Sequence, residues 1–347
     1  ASSTSIYGAR ASNGVIIITT KRGRNTDKAN VSFKAQAGVS SIAYGNWDLM
    51  NTAERIQYEI ETGMSAGQNY DILSQTDVNW LDAVYNNAAL LHNYELSVAG
   101  ATDKTNYFVS GAYYNQDGIA PSSGFERYSF RSNLEQRIGK NVKMGVNTMF
   151  NYQNIMQADE GSYTLVTPIS AARFMLPYWN PFKEDGSLAS INDGSWKGQG
   201  QNPLEWIANN PAKYKKYKAL AMGFAEVEFI KNLVFRSQLS ADFSHTTGFG
   251  QTFPSYLPNQ GEGTASRSSS DALNLQISNT LTYRFSLDSQ HDFTFMLGQE
   301  GEDYHAEGFS VTGKGQTNDF LTDIAFATRV TSWTSYSDSD YSRVSSF

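Results

Sequence analysis

A strict alternation of apolar and polar side chains dominates the sequence. Its clearest example covers residues 127–138, where Tyr128, Phe130, Leu134 and Ile138 share one side. The opposite side of that stretch carries the polar residues Arg127, Arg131, Glu135 and Arg137. A period of two residues is typical of a β-strand with two unlike faces. The pattern predicts strands at 31–41, 92–101, 105–117, 125–138, 142–154, 218–230, 233–245, 268–287, 292–307 and from 341 onward.

The connections between these strands alternate between short and long. The short ones are tight turns at 101–104, 139–141, 231–232 and 288–290. The long ones are loops at 42–91, 118–124, 155–217, 246–267 and 308–340, and the last overlaps a Ser-, Thr- and Asp-rich stretch at 330–342. Outer-membrane barrels place short turns at one end and long loops at the other. The sequence therefore predicts an all-β fold, a transmembrane antiparallel β-barrel.

Composition excludes several other classes. The 347 residues contain 34 Asp and Glu against 27 Lys and Arg, a net charge of −7, and no cysteine. Disulfide scaffolds, thiolate metal sites and cysteine nucleophiles are therefore excluded. The acidic balance without a basic run argues against a nucleic-acid partner. The longest apolar run, at 15–18, is far shorter than the ~20 residues of a membrane helix.

Two of the long loops contain helical patterns, and one of them is rich in aromatic residues. Residues 51–63 begin with an Asn-Thr cap and end on Gly, with Ala53, Ile56 and Ile60 along one side. A shorter helix is predicted at 77–85. Exposed aromatic rings can stack on sugars or anchor a protein partner. We therefore predict substrate or lid contacts in loop 155–217 at Tyr178, Trp179, Trp196 and Trp206.

The first 23 residues do not follow the barrel pattern. Residues 15–20 are apolar without alternation, as expected for a strand that is buried on both faces. A basic exit segment follows at 21–24. The pattern indicates the last strand of a small α/β element that precedes the barrel.

This opening segment closely resembles the end of the plug domain in SusC-like (SusC/RagA) TonB-linked outer-membrane proteins. The positions that match the family motif are Ile6, Tyr7, Gly8, Arg10, Asn13, Gly14, Thr19, Thr20, Lys21 and Gly23. The resemblance implies a plug end and linker at 1–27, followed at 28–347 by the first part of a barrel. It also implies a 22-stranded barrel, of which about ten strands are present, in the outer membrane of a Gram-negative bacterium. We therefore expect a fragment that is truncated within the barrel.

The function implied by the resemblance is active import of an oligomeric nutrient, glycan or peptide. The implied partners are TonB, acting through the missing amino-terminal region, a SusD-like surface lipoprotein that forms a lid, the substrate and membrane lipid. Arg127, Arg131, Glu135 and Arg137 would then face the lumen, where plug contact is favoured over substrate contact.

No catalytic residue, cofactor or metal site is predicted, because the four histidines form no metal-binding motif. Two alternatives stay open at this point. One is a self-contained small barrel enzyme of the protease type, with Asp and His pairs such as Asp242 and His245 at its rim. The other is a soluble all-β binding module whose apolar faces pack together.

Overall fold

Ten antiparallel strands form one sheet in the computed structural model, and their order in the sheet is their order in the chain. The structure describes residues 28–346 except 44, 46–47, 65–66, 159–164, 257–260 and 288–290, and it describes no side chains at 336–340. The predicted plug end at 1–27, with every matching motif position from Ile6 to Gly23, lies outside the described residues.

Each strand pairs with the next, so β1 and β10 are the two edges of the sheet within the described part of the chain. The strands are β1 (Asn30–Ser40), β2 (Ala89–Ala101), β3 (Thr105–Asp117), β4 (Gly124–Ile138), β5 (Val142–Gln157), β6 (Ala212–Ile230), β7 (Leu233–Thr252), β8 (Gly263–Ser286), β9 (Asp292–Gln316) and β10 (Arg329–Ser346). All ten predicted strands are confirmed. All long loops lie at one end of the sheet (the loop end) and all short turns at the other (the turn end).

Several strands continue further toward the loop end than the alternation predicts. β6 begins at Ala212 rather than 218, and β9 extends to Gln316. The pattern predicts a loop up to residue 340, but the whole stretch 330–342 belongs to β10. These extensions carry polar residues on both faces, because beyond the bilayer both faces of a strand meet water. Alternation therefore stops before the strand does.

Five short α-helices lie in the parts of the long loops that the structure describes. They are α1 (Thr52–Thr62), α2 (Tyr70–Leu73), α3 (Trp80–Val84), α4 (Pro168–Phe174) and α5 (Pro203–Asn209). The predicted ends of α1 are confirmed, since Asn51 and Glu54 form a capping box and Gly63 adopts φ 73°. The apolar side of α1 is not its buried side: Ile60 is 56% exposed, and the buried residues are Thr52 and Glu59.

The two faces of the sheet differ sharply. One, here the apolar face, exposes large hydrophobic side chains, for example Phe33, Phe130, Leu134, Val146 and Leu239. The other, the polar face, carries the charged residues that alternate with them. An exposed apolar face of this extent is built to contact lipid rather than water.

A row of aromatic rings borders the apolar face toward the loop end. Tyr94, Tyr113, Tyr128, Tyr152 and Tyr217 are cross-strand neighbours on β2 to β6. Successive ring centroids lie 4.9 Å (113 to 128), 6.2 Å (128 to 152) and 5.0 Å (152 to 217) apart. This arrangement is an aromatic girdle at a membrane interface.

The apolar face has the height of a bilayer core. From Tyr128 in the girdle to Ile138 at the turn end, β4 advances ten residues. At ~3.3 Å per residue and a tilt of 35–45°, this span corresponds to about 25 Å along the membrane normal. A second aromatic group, with Phe285 5.3 Å from Phe293, lies near the turn end of the same face. Separately, none of the described helices is long and apolar enough to cross a membrane.

Candidate functional site

Three of the long loops share a hydrophobic core at the loop end of the sheet, which we call the loop core. It joins loop 41–88, loop 118–123 and loop 158–211, and its buried members are Trp80, Leu81, Val84, Tyr85, Ala120, Ala171, Ala172, Met175, Ala189 and Trp196. The loops are thus one packed unit above the sheet rather than independent segments.

Trp80 occupies the centre of the loop core. Its side chain is 2% exposed, and its indole ring packs edge-on against Trp196 at 6.1 Å. Its indole N–H donates a hydrogen bond to the carbonyl oxygen of Leu176, at 3.0 Å. A backbone bond from Val78 N–H to the Pro177 carbonyl oxygen (2.7 Å) runs parallel to it. These bonds fix α3 against the segment that follows α4.

A buried carboxylate also connects the loops. Glu59 of α1 is 4% exposed and accepts hydrogen bonds from Arg55 (2.7 Å), Tyr70 (3.1 Å) and Tyr178 (2.8 Å). Tyr178 comes from loop 158–211, whereas the other three residues belong to loop 41–88. Burial alone would raise the pKa of Glu59, but the hydrogen bonds and the positive charge of Arg55 outweigh it and lower the pKa. Glu59 is therefore a charged link between two loops.

The four aromatic residues predicted to contact substrate or lid differ in how deeply they are buried. Tyr178 is 6% and Trp196 5% exposed. Trp196 packs inside the loop core, and Tyr178 packs against Trp179 and donates to Glu59, so neither side chain is open to a partner in this structure. Trp179 packs edge-on against Trp196 at 6.3 Å and is only partly buried. Trp206 on α5 is also partly buried, against Tyr256 of loop 253–262. A contact role stays a prediction for Trp179 and Trp206.

The four charged residues of β4 lie on the polar face, as their spacing predicts. Arg127 stacks over Tyr114, with its guanidinium carbon 5.4 Å from the ring centroid. Arg131 is exposed. Glu135 and Arg137 line an open cavity of about 420 Å³ beside the turn at 102–104. Their role toward a plug stays a prediction.

A charged cluster that the sequence did not reveal lies beside them on the polar face. Glu226 of β6 binds Lys143 (2.9 Å) on β5 and Arg236 (2.6 Å) on β7. Arg236 also covers the ring of Phe224 at 4.0 Å, and that ring in turn lies over Gly145. Three adjacent strands are thereby joined by side chains as well as by the ladder. Lys143, Glu226 and Arg236 come from three different strands, so no local signal marks the cluster.

The histidine considered as a rim base has a different partner from the one suggested by sequence proximity. His245 Nδ1 lies 2.6 Å from Asp271 Oδ1 of the neighbouring strand. It continues the aromatic girdle after Tyr217, at 6.2 Å, on the apolar face. Asp242 faces the other way and pairs with Lys218 at 3.0 Å. Within the described residues, no group of three or more His, Asp or Glu side chains could hold a metal ion.

Known proteins resemble this chain both in sequence and in structure. No protein-family model matches the chain. The TonB-dependent receptor P26 of Formosa agariphila is 27% identical over 330 residues, 92% of this chain and 32% of the relative. The TonB-dependent receptor SusC of Bacteroides thetaiotaomicron is 25% identical over 326 residues, 89% of this chain and 32% of the relative. The chain thus spans about a third of the length of these relatives.

Solved structures show the same likeness. The structure of the RagAB peptide transporter matches 99% of this chain and 42% of its own, with a TM-score of 0.86 and 25% identity. The RagAB peptide importer in the "open-open" state matches with a TM-score of 0.81 and 26% identity, over 100% of this chain and 42% of its own. In sequence, strand order and fold, this chain is SusC/RagA-like and related to the TonB-dependent receptors, which are outer-membrane β-barrel proteins.

Proposed function

We propose that this chain forms the plug end and the first part of the barrel of an active importer, which takes up oligomeric nutrients across the outer membrane. One observation carries the proposal: the ten-stranded sheet, with one lipid-type face and one charged face, superposes on the RagAB transporter over 99% of the chain. The bilayer-high apolar face and the girdle at the loop end support the same conclusion.

In this proposal the loop end is the cell-surface end, where the nutrient first binds. The loop core holds loops 41–88 and 158–211 as one unit, on which Trp179 and Trp206 remain partly exposed. A SusD-like surface lipoprotein closes over this end, and TonB supplies energy by pulling on the plug. No covalent bond of the nutrient is made or broken, so no catalytic group is required.

The polar face of the sheet would contact the plug. Arg127, Arg131, Glu135 and Arg137 lie on this face, beside the ion-paired cluster around Glu226. Charged side chains on adjacent strands can hold the plug by hydrogen bonds. Such bonds can form and break without exposing a hydrophobic core. This suits a plug that must move during import.

The two alternatives are less well supported. A protease of the barrel type needs an accessible base beside an acid, but His245 and Asp271 lie on the apolar face within the girdle. A soluble binding module would have to cover that face. Leu297, for example, is 70% exposed on a face that carries exposed apolar residues from β1 to β10.

Uptake by cells tests the proposal. The full-length receptor, expressed in a strain that lacks its own copy, should import a fluorescent oligopeptide or oligosaccharide mixture, and a protonophore should stop the import. The W179A/W206A variant should reduce uptake, while W333A should not, because Trp333 is 74% exposed on the apolar side of β10. Uptake that is unchanged by deletion of the receptor would refute the function. The mixture that is imported decides between peptide and glycan.

A further inference from the structure

Two lysines on the apolar side of β6 lie just beyond the aromatic girdle. Lys213 and Lys215 alternate with Tyr217, so all three side chains point to the same side of the sheet. Both lysines are exposed, and neither forms an ion pair with any residue that the structure describes. Their charges are therefore available to a ligand on the membrane side of the barrel.

The position of these lysines corresponds to the headgroup layer of the outer leaflet. Along a tilted strand, Lys215 lies about 5 Å and Lys213 about 10 Å beyond Tyr217 toward the loop end. The headgroup region extends roughly 5–7 Å beyond the hydrocarbon core on each side. Lysine side chains can also bend back toward the interface. Both ammonium groups can therefore reach a lipid headgroup.

Their surroundings offer little competing negative charge. Lys213 is flanked across the ladder by Met156 and Phe249, and Lys215 by Asn154 and Thr247. One strand further, Glu126 accepts hydrogen bonds from the hydroxyl groups of Tyr113 (3.1 Å) and Tyr128 (2.9 Å).

Two other charged groups lie on this side of the neighbouring strands. Asp271, in the girdle row, is hydrogen-bonded to His245 at 2.6 Å. Arg267, in the row of Lys213, stacks over Phe249 at 4.2 Å and forms an ion pair with Asp323 at 3.4 Å. On this side of β5 to β8, Lys213 and Lys215 are thus the described charged residues without a charged partner.

A furrow runs along β6 directly below the two lysines. Between Tyr217 and Val227 the apolar side of β6 carries only small residues, Ala219, Ala221, Gly223 and Ala225. Larger side chains border it on both sides, such as Val146 on β5 and Leu239 on β7, and an open cavity of about 420 Å³ lies at its lower end. Because β5 and β7 are about 10 Å apart, the furrow has the width of a single hydrocarbon chain.

We propose that Lys213 and Lys215, with the furrow below them, bind a phosphorylated lipid of the outer leaflet. Its phosphate contacts the two ammonium groups, and one acyl chain lies along residues 219–225. The observation that favours this occupant is the juxtaposition of two unpaired cations in the headgroup layer with an apolar furrow that starts one row beneath them. Neutral lipid would use only the furrow, and free phosphate would use only the lysines.

Native mass spectrometry of the full-length receptor tests this site. The probes are lipid A, its dephosphorylated form and inorganic phosphate. Each lysine near a charged surface should raise the affinity about fivefold, so the K213Q/K215Q variant should bind lipid A about 30-fold more weakly. The matched control K140Q/K231Q, which removes two exposed lysines from the turn end, should bind as the wild type does.

A second variant tests the furrow separately. A Cβ at Gly223 would meet only the Gly145 carbonyl oxygen, at 4.0 Å, so the G223L variant should fold. Its larger side chain should fill the furrow and weaken the binding of both lipid A and its dephosphorylated form. Three results would overturn the proposal: equal affinity for lipid A and its dephosphorylated form, an equal loss in the K140Q/K231Q control, or complete displacement of the lipid by inorganic phosphate.

Discussion

The hydrogen bond from Tyr178 to Glu59 should control how firmly loop 158–211 docks on loop 41–88. The Y178F variant keeps the buried ring but removes the hydroxyl group that lies 2.8 Å from the Glu59 carboxylate. A hydrogen bond to a charged group contributes about 1.5–3 kcal/mol. Opening between the two loops should therefore become about 10- to 100-fold more frequent.

Hydrogen exchange measured by mass spectrometry can detect this opening. The reporter is the Val78 amide, which donates to the Pro177 carbonyl oxygen across the two loops. The matched control is Y70F, because Tyr70 donates to the same carboxylate at 3.1 Å from within loop 41–88. We expect Y178F, and not Y70F, to accelerate exchange at Val78. Unchanged exchange in Y178F, or equal acceleration in both variants, would refute the role of Glu59 as a link between loops.

Three further predictions concern pH, the apolar face and strand packing. The pKa of Glu59 lies below its ordinary value of 4.5. The carboxylate therefore stabilises the docking of the two loops fully above pH 4.5, and this stabilisation is lost as pH falls through the lowered pKa. Protection between the loops, corrected for intrinsic exchange, should thus be constant from pH 7 to 5 and fall below 4.5; a loss already at pH 6 would contradict this. Val146→Lys, near the bilayer midplane, should destabilise the folded barrel by about 2–4 kcal/mol in urea titrations in detergent, whereas Asn147→Lys on the polar face should cost much less; equal costs would contradict the assignment of faces. Gly145→Ala should destabilise the barrel by about 1–3 kcal/mol in the same titration, since its Cβ would clash with the Phe224 ring, and a neutral result would show that this ring moves freely.

The sequence predicts the fold well where a strand separates two different environments. In β4 the apolar and polar sides alternate from Tyr128 to Ile138, because one side meets lipid and the other does not. Beyond the bilayer this difference disappears, so the outer part of β10 at 330–342 could not be recognised as strand. The sequence also predicts helix ends, because the residue types that cap a helix are local, as at Asn51 and Gly63 of α1.

The candidate site was less predictable because its contacts join distant parts of the chain. The Arg55–Glu59 pair has the i,i+4 spacing of a solvated surface pair, and only Tyr178, 119 residues later, makes it a buried link. Trp196 is a plausible exposed anchor in sequence, yet it packs against Trp80. Which aromatic residues of a loop face outward depends on the partners that cover them, and these partners have no local signature.

Labelling of single cysteines on intact cells tests the central claim most directly, that this sheet spans the outer membrane with its loops at the cell surface. The chain contains no cysteine, so each introduced thiol in this region is unambiguous. In the full-length receptor, Lys197→Cys and Phe320→Cys lie at the loop end, and Lys140→Cys and Lys231→Cys at the turn end. A membrane-impermeant maleimide should label the first pair on intact cells and the second pair only after the outer membrane is opened. Labelling of both pairs alike on intact cells, or recovery of the protein in the soluble fraction, would contradict the account.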